Sequence, residues 1–570
     1  MTDNKAVRGS GLGRDTFSEA PEIALNPLTG LHLKDLLAAT GKTAYHGIKQ
    51  PLTLTKHAAS LTGKLLDVFF SDKQYQVKKG DFRFRDPAWQ DNWFYRHLLQ
   101  SYLALNESLD DWVNDLDFED VDRVRAEFLI RLISESGAPT NTLLGNPMAL
   151  RKIIDSRGQS LVRGAKNLIG DIKDNHWIPS QVKKNSFTIG KDIAATPGTI
   201  VFKNEMLELI QYKAGSKQVY QRPALMVPPQ INKYYGMDLS PDKSLIKWCV
   251  DSGLQLFCIS WRNPRPEHAL WGIDEYACAT KEAVMAIKSI TRCKDINLIA
   301  FCSGATTASA MAAHLHAIGD QSIFSMTIGV CVLEAKTSDV ELGAFASEST
   351  LRAVKKRSMK KGVLRGHELA LSMLWLRPND LIWGNVVNNY LLGNEPPEFD
   401  IFFWNNDWTN LTAKLHADYI DIFWEKLLSI PDALTIGGTP INIRKVDCDK
   451  FIIAGTTDHI TPWKACYRSA QLFEGDNVEF FLSRSGHVQS MMNSPSKKNA
   501  SYYCNPKLSD SAEEWLDGAK QIDESWWLRW REWIQSRSGE LKAAPRKPGN
   551  SKYKPGVPAP GDYVLESSDL

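Results

Sequence analysis

An excess of charge of either sign is nearly absent from this sequence: 68 Lys and Arg against 66 Asp and Glu leave a formal net charge of +2. Nucleic-acid binding normally leaves a basic footprint, and none is present. No stretch approaches the roughly 18 apolar residues of a membrane-spanning helix, so no transmembrane span is expected. The first 17 residues are polar and mixed in charge, without the apolar core of a secretory leader, and a cytoplasmic location is expected. No C-x-x-C pair occurs among the nine cysteines, and their odd number argues against a disulfide framework. Eight of them read as buried, reduced thiols in apolar runs such as Leu256-Phe257-Cys258-Ile259. His268, His416 and the other histidines lack metal-ligand spacing, and no glycine-rich phosphate loop appears. Neither a metal nor a nucleotide cofactor is therefore expected.

What is present is core material, with 43% hydrophobic and 24% charged residues. Residues 1–20 read as disordered. Residues 21–195 read as a mostly helical domain, for example over 91–112 and 121–136, punctuated by Pro139, Gly145 and Pro147. From 196 to 536 short apolar runs alternate with helical stretches, at 225–227, 256–260, 296–300, 324–332, 451–454 and 478–482. Strands alternating with helices predict a mainly parallel sheet covered on both faces, with ligand sites at the carboxyl ends of its strands. The alternation stops over about 334–439, an aromatic-rich insert placed as a cap that covers the site at rest and moves for passage of substrate or product. Trp526, Trp527, Trp530, Trp533 and Ile534 recur at helical spacing and predict a terminal helix packed on the domain. Residues 537–570, rich in Pro, Gly and Lys, read as a loosely ordered tail.

One cysteine stands apart. Asn297-Leu298-Ile299-Ala300-Phe301 reads as a strand, Cys302-Ser303-Gly304 as a sharp turn, and the run to Ile318 as a helix with Ala308, Met311, Ala312 and Leu315 on one face. Strand, turn and helix with a nucleophile at the turn describe the elbow of an α/β-hydrolase fold. Small residues two before and two after the cysteine, Ala300 and Gly304, let strand and helix approach closely. The helix N-terminus beside the sulfur favours a thiolate. In this fold the acid and then the histidine follow on loops after later strands. Asp458 follows residues 451–454 through Gly455-Thr456-Thr457, and His487 follows residues 478–482 through Ser483-Arg484-Ser485-Gly486. His459 is a rival base without a strand-loop context of its own, and it reads as structural. An oxyanion hole needs two backbone N–H donors. Ser303 should supply one. The loop after residues 225–227 should supply the other, from Gln230 or Ile231, because Pro228 and Pro229 have no N–H.

At this point a resemblance becomes specific. Val227-Pro228-Pro229-Gln230-Ile231-Asn232-Lys233-Tyr234, Ser260-Trp261-Arg262-Asn263-Pro264, Val387-Asn388-Asn389-Tyr390-Leu391-Leu392-Gly393, the segment from Ala454 to Trp463 around Asp458, and Ser485-Gly486-His487-Val488-Gln489-Ser490 resemble segments of polyhydroxyalkanoate synthases. The likeness runs from about Leu25 into the tail, includes Asp86-Pro87-Ala88-Trp89, and is closest to the class II, medium-chain synthases. Ala300 and Ala305 depart from the family's Gly-x-Cys-x-Gly-Gly box, and each added methyl is expected to shift the helix slightly without losing the elbow.

The resemblance implies an acyltransferase with Cys302, Asp458 and His487 as catalytic residues. It would polymerise (3R)-3-hydroxyacyl-CoA through an acyl-thioester, with release of coenzyme A. It also implies no cofactor beyond the CoA thioester, partners consisting of the growing polyester and its granule surface, and a homodimer. Cys331, near the carboxyl end of the strand at 324–332, and Gln489, two residues past His487, are expected to border the acyl pocket. The competing readings are a thioesterase or polyester depolymerase of the same fold, and a non-catalytic granule-coat protein.

Overall fold

The computed structural model describes residues 33–71, 73–335, 341–475 and 477–568. The expected disorder of residues 1–20 lies outside them. Ten strands form one sheet: β1 (Gly198–Lys203), β2 (Leu207–Tyr212), β3 (Ala224–Val227), β4 (Leu256–Trp261), β5 (Ile296–Phe301), β6 (Ile323–Gly329), β7 (Asp449–Gly455), β8 (Val478–Ser483), β9 (Tyr502–Cys504) and β10 (Lys520–Ile522). Their order across the sheet is β1-β2-β4-β3-β5-β6-β7-β8-β9-β10. The six central strands from β4 to β8 are parallel, and antiparallel pairs close both flanks. β3, β4 and β5 are buried along their whole length, which is why they read as unbroken apolar runs: helices cover both faces. The chain passes from β3 outward to β4 and returns on the other side as β5. The loops leaving β3 and β5 therefore flank a topological switch point, where parallel α/β sheets open a crevice.

The helix Trp526–Ser536 packs its tryptophans on one face, as its spacing predicts. Trp526 and Trp533 lie against Phe451 of β7, and Trp530 Nε1 donates to Thr327 Oγ1 at 2.9 Å. The segment after it is not a loose tail. Leu541–Ala543 pairs with Gln218–Tyr220, and Ile200 of β1 exchanges backbone hydrogen bonds with Val557 and Gly556. The buried Glu208 carboxylate then accepts from the N–H groups of Asp562 and Tyr563 at 2.9 and 3.0 Å. Composition suggested a tail, but the free edge of β1 presents unpaired backbone groups that this segment satisfies.

The N-terminal region is helical, including Leu33–Lys49, Pro51–Phe70, Trp93–Asp115, Asp120–Ser136 and Gln159–Asp174. Asp86-Pro87-Ala88-Trp89 forms a turn: Asp86 Oδ1 accepts from Ala88 N and Arg151, and Trp89 is buried edge-to-face on Phe84. The insert between β6 and β7 carries the helices Glu348–Lys361, Gly366–Leu374, Asp400–Asn405 and Ala413–Trp424. The N-terminal helices dock on it. Asn167 Nδ2 donates to the carbonyls of Asn389 and Asn394, Tyr390 Oη donates to Asp171, and Phe128 meets Phe345 edge-to-face. A β-carbon on Gly164 would lie 1.9 Å from Tyr390 O, so only glycine permits this approach. The Val387–Gly393 motif is thus a docking surface between helices.

Candidate active site

β5 ends at Phe301, and the helix Cys302–Ala317 begins at once, so the chain must reverse within one residue. Cys302 takes that strain with φ +50°, a left-handed conformation uncommon for a side-chain-bearing residue and often found at functional sites. Gly304 is required by contact: an added β-carbon would lie 2.4 Å from Pro228 O and 2.5 Å from Val227 O. Ala300 and Ala305 are both fully buried within the apolar core, which has space for their methyls. The expected turn is present with its alanines accommodated.

Asp458 lies three residues past the end of β7, and its carboxylate is fully enclosed. Oδ1 accepts from the N–H groups of Ile460 and Thr461 at 2.9 and 2.8 Å; Oδ2 accepts from Thr461 Oγ1 at 2.6 Å and from His487 Nδ1 at 2.7 Å. Burial alone would raise its pKa, but the neighbouring imidazole and these donors outweigh it and hold the group below the ordinary carboxylate value. His487 opens the short helix His487–Met491 after β8, and its ring interacts with the Cys302 side chain. Burial would lower the imidazole. Asp458 and Cys302 prevail and push it up to about 10. His459 goes the other way, down to about 4, through burial first and then Arg377.

Cys302 opens onto a cavity of about 300 Å³ whose walls include Cys331, Leu351, Leu376, Phe423 and Trp424. Thr306 and Tyr419 also border it, so the first turns of the elbow helix and the insert helix Ala413–Trp424 both contribute. Cys331 sits on the wall of this cavity, 3.6 Å from Thr306 Oγ1, with its thiol pushed up to about 12 by burial. Gln489 does not. It is exposed and absent from the cavity lining, because two steps along a helix turn a side chain through about 200° and away from inward-facing His487.

Ser303 and Ile231 border the cavity beside Cys302. Gln230 N–H is already engaged, donating to Ser303 Oγ at 3.1 Å. Sequence reasoning missed Thr461, Thr306 and Tyr419. Thr461 has a local signal, three residues past an acidic loop residue in a turn its hydroxyl can close. Tyr419 has none, because it reaches the site from a helix 117 positions downstream of Cys302. Among the described residues, no group of three or more His, Cys, Asp or Glu side chains could hold a metal ion, and no helix is long and apolar enough to cross a membrane.

Comparison with known proteins bears on the family and the fold. A family model described as "Poly-beta-hydroxybutyrate polymerase (PhaC) N-terminus" matches residues 80–249, and one described as "alpha/beta hydrolase fold" matches residues 223–491. The chain is 45% identical to poly(3-hydroxyalkanoate) polymerase 1 of Ectopseudomonas oleovorans, over 95% of this chain and 97% of that one. It is also 45% identical to polymerase 2 of the same organism, over 97% and 98%. Identity to the poly(3-hydroxyalkanoate) polymerase subunit PhaC of Cupriavidus necator is 36%, over 85% and 83%. An α/β-hydrolase sheet, a helical N-terminal region and near full-length similarity together place the protein: the chain belongs to the poly(3-hydroxyalkanoate) polymerase family.

Proposed function

We propose that Cys302 is the nucleophile of a polyester synthase acting on 3-hydroxyacyl-CoA, with His487 as its proton acceptor and donor and Asp458 as the group that orients His487. For attack, the Cys302 sulfur leaves its proton on His487 and becomes the nucleophile. It attacks the thioester carbonyl; the carbon–sulfur bond to coenzyme A then breaks, and the leaving thiolate takes the proton from His487. The neutral imidazole next accepts the proton of a 3-hydroxyl group. That oxygen attacks the acyl-cysteine, an ester bond forms, the carbon–sulfur bond to Cys302 breaks, and the proton now on His487 stands beside the released sulfur, so the site returns to its starting state. The cycle is redox-neutral and balances without a further co-reactant. A thioester intermediate keeps the acyl group near the energy it had on coenzyme A, so transfer to an alcohol stays downhill.

The observation that carries this reading is Cys302, strained at the elbow, interacting with an imidazole whose Nδ1 is held by Asp458, and open to an apolar cavity. Asp458 is enclosed and already accepts four hydrogen bonds, which favours an orienting role over direct contact with a substrate hydroxyl. The tetrahedral oxyanion is assigned to the N–H groups of Ser303 and Ile231. An apolar product also suits the exposed Leu52, Phe69, Phe70 and Trp93 of the N-terminal helices, in keeping with work at a polyester surface.

The test is incubation with 3-hydroxyacyl-CoA, following free coenzyme A and polymer together in the parent and in Cys302→Ala. The parent should release coenzyme A in step with polymer, and the variant should do neither. Polymer from the variant would overturn the assignment, and coenzyme A without polymer from the parent would favour the hydrolase reading.

A further inference from the structure

The loop that carries Gln230 and Ile231 begins with two prolines, so its first two residues have no N–H with which to tie themselves to the sheet. Its position must come from elsewhere, and the contacts converge on Gln230. Its N–H donates to Ser303 Oγ at 3.1 Å, and its side-chain Nε2 donates to Thr307 Oγ1 at 2.9 Å; both partners lie on the elbow helix. From the insert, Tyr419 Oη donates to Gln230 Oε1 at 3.0 Å. Thr409 Oγ1 lies within hydrogen-bond distance of the carbonyls of Gln230 and Ile231, at 2.8 and 2.6 Å. All four side chains are buried. Just beyond, Trp404 Nε1 donates to Lys233 O, and Lys233 Nζ pairs with Asp407 at 2.7 Å. The loop is thus held from both sides, by the elbow helix and by residues 404–419 of the insert.

We infer that the side chains of Gln230 and Tyr419 are positioning residues that fix the spacing between the Ser303 and Ile231 N–H groups, so that the insert helps set the oxyanion geometry besides covering the cavity. This rests on the reading of Cys302 as nucleophile. Gln230 is the bridge because its amide both accepts from the insert and donates to the helix. Tyr419 is the part that sequence spacing could not reveal. Its ring lines the cavity, but its hydroxyl is spent on Gln230, with Ser303 O farther away at 3.4 Å. A donor displaced by a fraction of an ångström acts on the transition state more than on substrate binding.

Tyr419→Phe removes only the hydroxyl and keeps the ring, and Gln230→Leu removes both side-chain bonds at nearly constant volume. In steady-state release of coenzyme A, each should lower kcat about tenfold or more while KM stays within about twofold, a smaller loss than removal of a donor outright. The double variant should be no slower than the slower single variant, because Tyr419→Phe cuts a connection that Gln230→Leu already removes. Parent-like kcat in Tyr419→Phe, a change confined to KM, or multiplying losses in the double variant would each overturn the inference. Cys302→Ala in the same assay tests the nucleophile separately: turnover there removes the underlying reading, whereas a silent Cys302→Ala beside a fully active Tyr419→Phe removes only this one.

Discussion

Replacing Gly304 with alanine adds one methyl at the tightest approach in the site. That carbon would lie 2.4 Å from Pro228 O, 2.5 Å from Val227 O and 2.6 Å from Pro228 C. All three are backbone atoms, so no rotamer change relieves the overlap. To reach ordinary contact, near 3.4 Å, helix and loop must separate by about 1 Å, and overpacking of this kind costs about 1–3 kcal/mol. The same movement draws Ser303 away from Gln230 and Ile231, and a misplacement of about 1 Å at reacting groups can cost about a hundredfold in rate. Gly170 provides the control. It lies in the helix Gln159–Asp174, and an added β-carbon there has no atom within 4 Å outside its own helix. The same substitution at Gly170 should therefore stabilise by up to about 1 kcal/mol through helix propensity alone. Urea unfolding and the rate of coenzyme A release, measured on both variants, give the comparison. Gly304→Ala with the parent's midpoint and rate would refute the close-approach argument.

Asp458→Asn removes the charge that holds the proton on His487. In the parent, whose His487 value is raised from 6.5 to about 10, the resulting stabilisation is complete below the unfolded value and is lost as pH rises through the folded one. Unfolding midpoints of the parent should fall between about pH 6.5 and 10, and those of Asp458→Asn should fall much less; superimposable profiles would show that the pair does not control this titration. Cys331→Phe fills part of the cavity and should shift polymer toward shorter 3-hydroxyacyl units when mixed chain lengths are supplied, in a graded way, since a methylene is discriminated by about 1–3 kcal/mol. Unchanged composition would remove Cys331 from the pocket that binds acyl chains. Hydrogen exchange should divide the insert: a non-hydrolysable acyl-CoA should slow exchange across residues 343–376 more than in the braced helix Ala413–Trp424, and equal, core-like protection of both in every state would exclude gating.

The parts of the site legible in the sequence are those whose chemistry is local to a strand end. Cys302, Asp458 and His487 each follow a β-strand within four residues, so apolar runs and small residues were enough to point to the strand ends that carry sulfur, imidazole and carboxylate. Gln489 shows the limit of counting along the chain, because nearness in sequence to His487 says nothing about direction once the residues enter a helix. The segment after 536 shows another limit: composition reports what a segment lacks for a core of its own, whereas its order comes from the edge of β1 and from Glu208, hundreds of positions away. Tyr419 belongs to the same class. Its partner is Gln230, and neither the helical pattern around 419 nor the proline pair before 230 points to the other.

The cavity also bears on why an acyl-cysteine here would be transferred to an alcohol when water is so much more abundant. Its walls are largely apolar, with Leu351, Leu376, Ile420, Phe423 and Trp424 facing the space that Cys302 opens into. Water gains nothing by entering such a space, whereas a hydroxyl carried on an alkyl-bearing unit gains about 0.8 kcal/mol for each methylene buried beside it. Four buried methylenes would supply about 3 kcal/mol, more than a hundredfold in local population. The attacking oxygen is then selected by the chain that carries it, before any difference in intrinsic reactivity. A wall that accommodated the side chain of an acyl group on Cys302 would also favour an acceptor with a similar side chain. Length selectivity and resistance to hydrolysis would thus have one physical origin, the apolar lining shared by the elbow and the insert. Fixing that lining requires the two to be rigidly joined, and the Gln230–Tyr419–Thr409 contacts hold them together directly beside the sulfur.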